Sequence, residues 1–322
     1  MRNSKVWDQL EGRFKLPDDW QTSLMAGAGG RDLFCAKSLP DSKIKGHVLV
    51  VQGLGEYGQK YAELARDFNK QAWGFHIFDR AGQGMSGRNT PDPYKIHCDD
   101  YRDDVKDIIH YAMAKIPHDG KPVVLLAHST GGLLTLPVLH QDSQKPVQDR
   151  LFAKAVITDP LWGFLEPAAR NRDPIFALLP MPKFIREATV PGGLKEWVPR
   201  NDPRSLHKTD EFSTDPVRSL VHDFWQTHKP QLRVASATMG WLREMSRAMG
   251  VVRKRGYIES IQHQIVVCTS DTTLHIDPVR ITETMARMQN VKHLPFGDGK
   301  HELLMERDHI RNPIVAEIMK LG

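Results

Sequence analysis

Short apolar runs closed by glycine or a charged residue recur along this chain, and stretches of helical period separate them. His47-Val48-Leu49-Val50-Val51 runs into Gly53-Leu54-Gly55, residues 73–78 run into Asp79, and Val123-Val124-Leu125-Leu126-Ala127 runs into His128-Ser129. Runs of this length without polar alternation read as strands buried on both faces. Residues 61–71 and 101–116 read as helices between them, the second with Val105, Ile108, Ile109 and Ala112 on one face. Ser23-Leu24-Met25-Ala26 and Asp32-Leu33-Phe34-Cys35-Ala36 flank Gly27-Ala28-Gly29-Gly30, which reads as a hairpin at a sheet edge. Residues 151–158 add another strand. The alternation predicts an α/β fold, with a mostly parallel sheet and helices on both faces.

The alternation stops after Asp159-Pro160 and resumes at Gln264. Residues 161–250 are rich in proline, tryptophan, phenylalanine and charge, with helices expected near 216–227 and 238–249. This predicts three parts: a core over 1–160, an inserted and mainly helical cap over 161–250, and the rest of the core over 251–322. Insertions of this length beyond strand ends commonly act as lids. The alternative is an added packing subdomain.

The chemistry concentrates where strands end. Ala127-His128-Ser129-Thr130-Gly131-Gly132 is a strand-to-helix turn with a serine at its apex. A serine there projects above the sheet and can attack a carbonyl. The usual pattern has glycine two residues before the serine, and here Ala127 stands in its place. A serine nucleophile needs a histidine base and a carboxylate to hold that base. Residues 264–270 form an apolar run that ends at Asp271, and residues 291–296 lead through Gly297-Asp298-Gly299-Lys300 to His301. The order Ser129, Asp271, His301 is that of α/β-hydrolase sheets. His293 and His275 are rivals for the base, and Asp277 and Asp298 for the acid, although Asp277-Pro278 suits a helix start better. Backbone N–H groups of Thr130 and Leu54 are expected to form the oxyanion hole. Glu56 and Tyr57 either line the entrance to the site or occupy an exposed turn. Phe176 and Leu179, in an apolar run between prolines, either face an acyl chain or pack in the core. The loop from Asp79 to Gly84 lacks dinucleotide-binding spacing and reads as a structural turn.

Composition narrows the classes. The 322 residues are 40% hydrophobic and 26% charged, ordinary values for a globular domain. Mean hydropathy is −0.44. Cys35, Cys98 and Cys268, widely spaced and odd in number, read as reduced thiols in a cytoplasmic protein. Residues 1–16 lack the apolar core of a secretion signal, and no run approaches a membrane span. A net charge of +5 permits weak contact with an anionic membrane surface. The basic residues are too dispersed for nucleic-acid binding. No His/Cys/Asp spacing suggests a metal, and no cofactor is expected.

Four motifs in order carry a resemblance. They are Gln52-Gly53-Leu54-Gly55-Glu56-Tyr57-Gly58, Asp79-Arg80-Ala81-Gly82-Gln83-Gly84-Met85-Ser86-Gly87, Ala127-His128-Ser129-Thr130-Gly131-Gly132 and His301-Glu302-Leu303-Leu304-Met305-Glu306. Together they resemble the monoacylglycerol-lipase and lysophospholipase branch of the α/β hydrolases, nearest bacterial lysophospholipases of the L2 type. Thr214-Asp215-Pro216 and Ala237-Thr238-Met239-Gly240-Trp241-Leu242 are similar to the same group. Gln52 departs from the family's usual histidine. The resemblance implies a serine hydrolase of a lipid-like acyl ester. A small-ester carboxylesterase, an aminopeptidase-type amidase and a non-catalytic ligand binder are the alternatives.

Overall fold

The computed structural model of the chain describes residues 10–165 and 180–320. Its centre is an eight-stranded sheet in the order β1-β2-β4-β3-β6-β7-β9-β10. The strands are β1 (Gln21–Ala26), β2 (Asp32–Ser38), β3 (Gly46–Val51), β4 (Trp73–Phe78), β6 (Val123–His128), β7 (Lys154–Thr158), β9 (Gln264–Ser270) and β10 (Val291–Phe296). β1 and β2 form the expected antiparallel hairpin, and β2 runs antiparallel to β4. From β4 to β10 the neighbours are parallel. A two-residue strand, β5 (Lys95–Ile96), pairs outside the sheet with β8 (Ser236–Ala237).

The continuous apolar runs bury both faces of the sheet. Leu49, Val51, Leu125, Ala127, Ala155, Ile157 and Val267 point to one face. There they meet α2 (Tyr101–Lys115), α3 (Thr130–Ser143) and α5 (Met239–Val252) through Ile108, Leu133 and Met249. Their alternates Val48, Val50, Val124, Leu126, Val156 and Val266 point to the other. They meet α1 (Ala62–Lys70) and α7 (Asp308–Met319) through Leu64, Phe68 and Ile314. Cys35, Cys98 and Cys268 are free and buried.

Between β7 and β9 the described chain contributes a single helical turn (Lys183–Arg186), α4 (Arg218–His228), β8 and α5, with 3-10 turns and loops. The parallel strands end on one side of the sheet, where this segment and the functional turns gather. A surface cleft of about 390 Å³, lined by Lys121, Arg150 and Gln262, opens near the beginnings of β6, β7 and β9. It is therefore at the other end of the strands from Ser129.

The approach of α3 to the sheet depends on one missing side chain. A Cβ at Gly131 would sit 2.0 Å from the Val51 carbonyl oxygen. Backbone cannot swing aside, so α3 would have to lift off β3. Gly131→Ala is expected to cost roughly 1–3 kcal/mol of stability, read as a lower midpoint in thermal or urea unfolding. An unchanged midpoint would contradict this packing.

Candidate active site

The β6–α3 turn holds Ser129 at φ 51° and ψ −114°, a conformation uncommon for any residue with a side chain. Such a backbone costs on the order of 1–3 kcal/mol and persists only when its surroundings enforce it. The Ser129 N–H donates to Thr158 O at 3.0 Å, and its carbonyl accepts from Gly132 at 3.0 Å and Leu161 at 2.9 Å. The turn is thus held by backbone bonds to the end of β7, to the residue Leu161 just beyond it and to the first turn of α3. Ala127 lies buried in β6 with no positive φ, so the change from glycine introduces no strain of that kind there.

The loop after β10 brings His301 to the same point, with Nε2 3.2 Å from Ser129 Oγ. On the other side of the ring, Nδ1 is 3.3 Å from Thr273 Oγ1 and 3.7 Å from Asp159 Oδ2. His128 and His275 flank the ring at centroid distances of 4.8 and 4.9 Å. Burial pushes the His128 imidazole below its ordinary pKa. Burial, with His301 and His207 nearby, takes His275 down to about 3. Both are therefore neutral neighbours of His301 at pH 7.

The carboxylate facing His301 is not the expected one. Asp271 is exposed and has neither a hydrogen bond nor an ion pair among the described residues, and its Oδ2 lies beside Gly297. Asp159 is fully buried at φ 40°, just past the end of β7. Its carboxylate accepts from Ser270 N at 2.8 Å and Ser270 Oγ at 2.6 Å. The physical reason lies in strand pairing. Thr158 stands opposite Cys268, and Asp159 N donates to Cys268 O, so the Asp159 side chain closes the end of β9. The chain then turns outward at Asp271. The rivals have other partners. Asp277 caps α6 (Pro278–Met285), Asp298 pairs with His309 at the surface, and His293 of β10 bonds Thr269 of β9.

The turn after β3 is held tightly. Glu56 accepts from Gly53 N at 2.6 Å and Tyr61 Oη at 2.8 Å. Gln83 Nε2 donates to both Gly53 O and Glu56 O at 3.0 Å, and Arg80 also reaches Gly53 O. Asp79 accepts from Gly58 N, Met85 N and Gln52 Nε2. Burial nevertheless raises the Asp79 pKa to about 7, against those backbone bonds. The Asp79–Gly84 turn is thus a brace for the Leu54 loop, in line with a structural role. Gln52, the departure from the family histidine, is part of that brace. Neither Leu54 N nor Thr130 N has a protein acceptor among the described residues, so both N–H groups remain available to an oxyanion.

Glu56 and Tyr57 do not line an entrance. Both are buried, and Tyr57 Oη donates to His222 O. The reason is a buried charge cluster. Lys60 pairs with Glu56 at 2.6 Å and with Glu302 at 2.7 Å, and Arg200 pairs with Glu302 at 2.8 Å. Burial opposes ionisation of both glutamates. Lys60 outweighs it at Glu56, and Arg200 and Lys60 outweigh it at Glu302, so both stay below the usual carboxylate range. Glu302 follows His301 directly, and its N–H donates to Phe212 O. Glu306 accepts from Lys300 N and Thr214, tying the histidine loop to the same segment. Phe176 and Leu179 lie outside the described residues.

Comparison with known proteins decides the family. Residues 42–308 match the family model described as serine aminopeptidase, S33 (Hydrolase_4). The chain belongs to that family. A probable lysophospholipase L2 from Haemophilus influenzae is 24% identical over 284 residues, 87% of this chain and 84% of the relative. A monoglyceride lipase homolog of monkeypox virus is 30% identical over 302 residues, 92% of this chain and 96% of the relative. A soluble variant of the Saccharomyces cerevisiae monoglyceride lipase, solved with a substrate analog, shares the fold at TM-score 0.71 and 15% identity over 94% of both chains. This S33 member is therefore a hydrolase of the lipase and lysophospholipase type, as its four motifs had implied.

Proposed function

We propose that this hydrolase cleaves a lipid-like acyl ester, a lysophospholipid or a monoacylglycerol, through an acyl-enzyme formed on Ser129. The observation that carries the reading is the 3.2 Å approach of His301 Nε2 to a serine hydroxyl on a strained strand-to-helix turn. Ser129 Oγ attacks the acyl carbon while His301 Nε2 takes its proton. The oxyanion receives the N–H groups of Leu54 and Thr130. His301 then returns the proton to the departing alcohol, and water repeats the sequence to free the acid. Asp159 serves as the positioning residue that holds the His301 tautomer and balances its imidazolium charge. The 3.7 Å separation is compatible with that role, because such bonds are often long before substrate binds. No step requires a cofactor.

Support for a lipid substrate comes from the names of the relatives and from the segment between β7 and β9, read here as the cap. That segment exposes Phe184, Ile185, Leu206 and Leu220, apolar side chains that could meet an acyl chain or a lipid surface. No described helix is long and apolar enough to cross a membrane. The net charge of +5 favours an anionic surface.

A panel of esters graded by chain length tests this reading. The kcat/KM is expected to rise with acyl length until the pocket is full, by up to about fourfold per methylene, the equivalent of ~0.8 kcal/mol each. Polar substitution at Phe176 or Leu179 should reduce activity on long esters more than on acetates if these side chains meet the chain. A flat profile would favour a small-ester carboxylesterase. Faster turnover of aminoacyl amides than of any ester would favour the peptidase activity that the family description names.

A further inference from the structure

Three side chains with metal-binding chemistry converge beside His301, two of them four residues apart and the third from a different loop. His207 and Glu211 lie in the segment between β7 and β9, and His275 lies in the loop that follows β9. One ligand atom from each falls within a mutual 4.8 Å. His207 Nδ1 is 3.3 Å and His275 Nε2 is 3.8 Å from Glu211 Oε2. The two imidazoles meet edge to face at 4.9 Å. His275 Nε2 is buried and makes no hydrogen bond, while Phe212 stacks on its ring at 4.7 Å and fixes its plane. A buried ring nitrogen aimed at a carboxylate beyond hydrogen-bonding distance leaves room for something between them.

We propose that His207, Glu211 and His275 form a site for a divalent transition-metal ion of the zinc class, and that the bound ion latches the covering segment onto the catalytic loop. Two imidazoles and one carboxylate are a common zinc donor set, with a fourth position left to water. Tetrahedral zinc with bonds near 2.0–2.1 Å needs donors about 3.3 Å apart, so the present arrangement closes onto an ion with small side-chain movements. A nitrogen-rich set discriminates against magnesium and calcium, which prefer oxygen ligands. His207 is exposed, so the ion can enter from solvent.

The position gives the ion a consequence. His275 is 4.9 Å from the His301 ring, and Thr273, two residues earlier, bonds His301 Nδ1. Phe212, one residue after Glu211, stacks on His275 and accepts from Glu302 N. Cross-linking these two segments restrains the groups around His301 and hinders any opening of the cover. The ion is therefore an inhibitor or a brake, with no part in the ester chemistry.

The test uses chelator-treated full-length protein and zinc chloride alone as the probe. Competition against a chromophoric chelator measures binding, and fluorophosphonate labelling of Ser129 measures access to the site. Wild type is expected to bind one zinc ion tightly and to label more slowly when it is bound, while magnesium has no effect. His207→Ala, at an exposed position, should weaken that binding at least ~10-fold and abolish the slowing while keeping metal-free labelling. Glu211→Gln should weaken binding similarly. Absence of stoichiometric binding to wild type overturns the site. Equal binding in wild type and both variants places the ion on other histidines and also overturns it. Zinc inhibition that persists in His207→Ala means the ion acts elsewhere, and it refutes the latch. Because binding is measured without substrate, these outcomes do not depend on which ester the enzyme cleaves.

Discussion

Ser129→Ala is expected to abolish fluorophosphonate labelling and to lower kcat by at least ~10³ while the protein stays folded. The hydroxyl contributes little to the fold. The turn is held by backbone bonds to Thr158, Gly132 and Leu161, none of which involves Oγ. Alanine therefore removes the nucleophile and leaves the elbow, the Leu54 and Thr130 donors and the His301 loop in place. Residual activity should come only from those donors and from binding. Turnover near wild type with an unchanged unfolding midpoint would refute the acyl-enzyme mechanism.

The second large effect separates two carboxylates. Asp159→Asn is expected to lower kcat by ~10²–10⁴, the scale seen when the acid of a serine triad becomes an amide. KM should change far less, because Asp159 is buried behind His301 and reaches no substrate. Asparagine can still accept from Ser270 N, so the end of β9 should stay closed. Asp271→Asn, at an exposed side chain without a described partner, should leave turnover within a few-fold of wild type. A larger loss in Asp271→Asn than in Asp159→Asn would return the role to Asp271, with the loop closing only around substrate.

The contrast shows what a linear reading can reach. Local signals were legible. The apolar runs became strands, the serine with two following glycines became the elbow, and the last histidine of the ordered motifs arrived at Ser129. The choice of acid was not, because Asp159 and Asp271 have the same signature, a carboxylate directly after an apolar run. Which one turns inward is decided by pairing between β7 and β9, separated by more than a hundred residues. Glu56 resembled an entrance residue because it follows a glycine turn. Its burial depends on Lys60, and that i, i+4 spacing was the available clue. The His207, Glu211 and His275 cluster had only half a clue, since its third member comes from another loop.

The buried charges Glu56, Lys60, Glu302 and Arg200 have a consequence for modular exchange. Their four positions belong to the turn after β3, the helical turn that follows it, the loop that carries His301 and the segment between β7 and β9, yet their ion pairs form one unit. Loss of one partner strands a buried charge, at a cost of about 3–5 kcal/mol. The segment between β7 and β9 is therefore not a detachable part. A segment transplanted from a relative has to bring a cation to the place of Arg200, or the misfit is felt at Glu302, next to His301. Phe184 and Leu206 of the same segment meet solvent, so substitutions there escape this constraint, while Arg200 is bound by charge to the residue after His301.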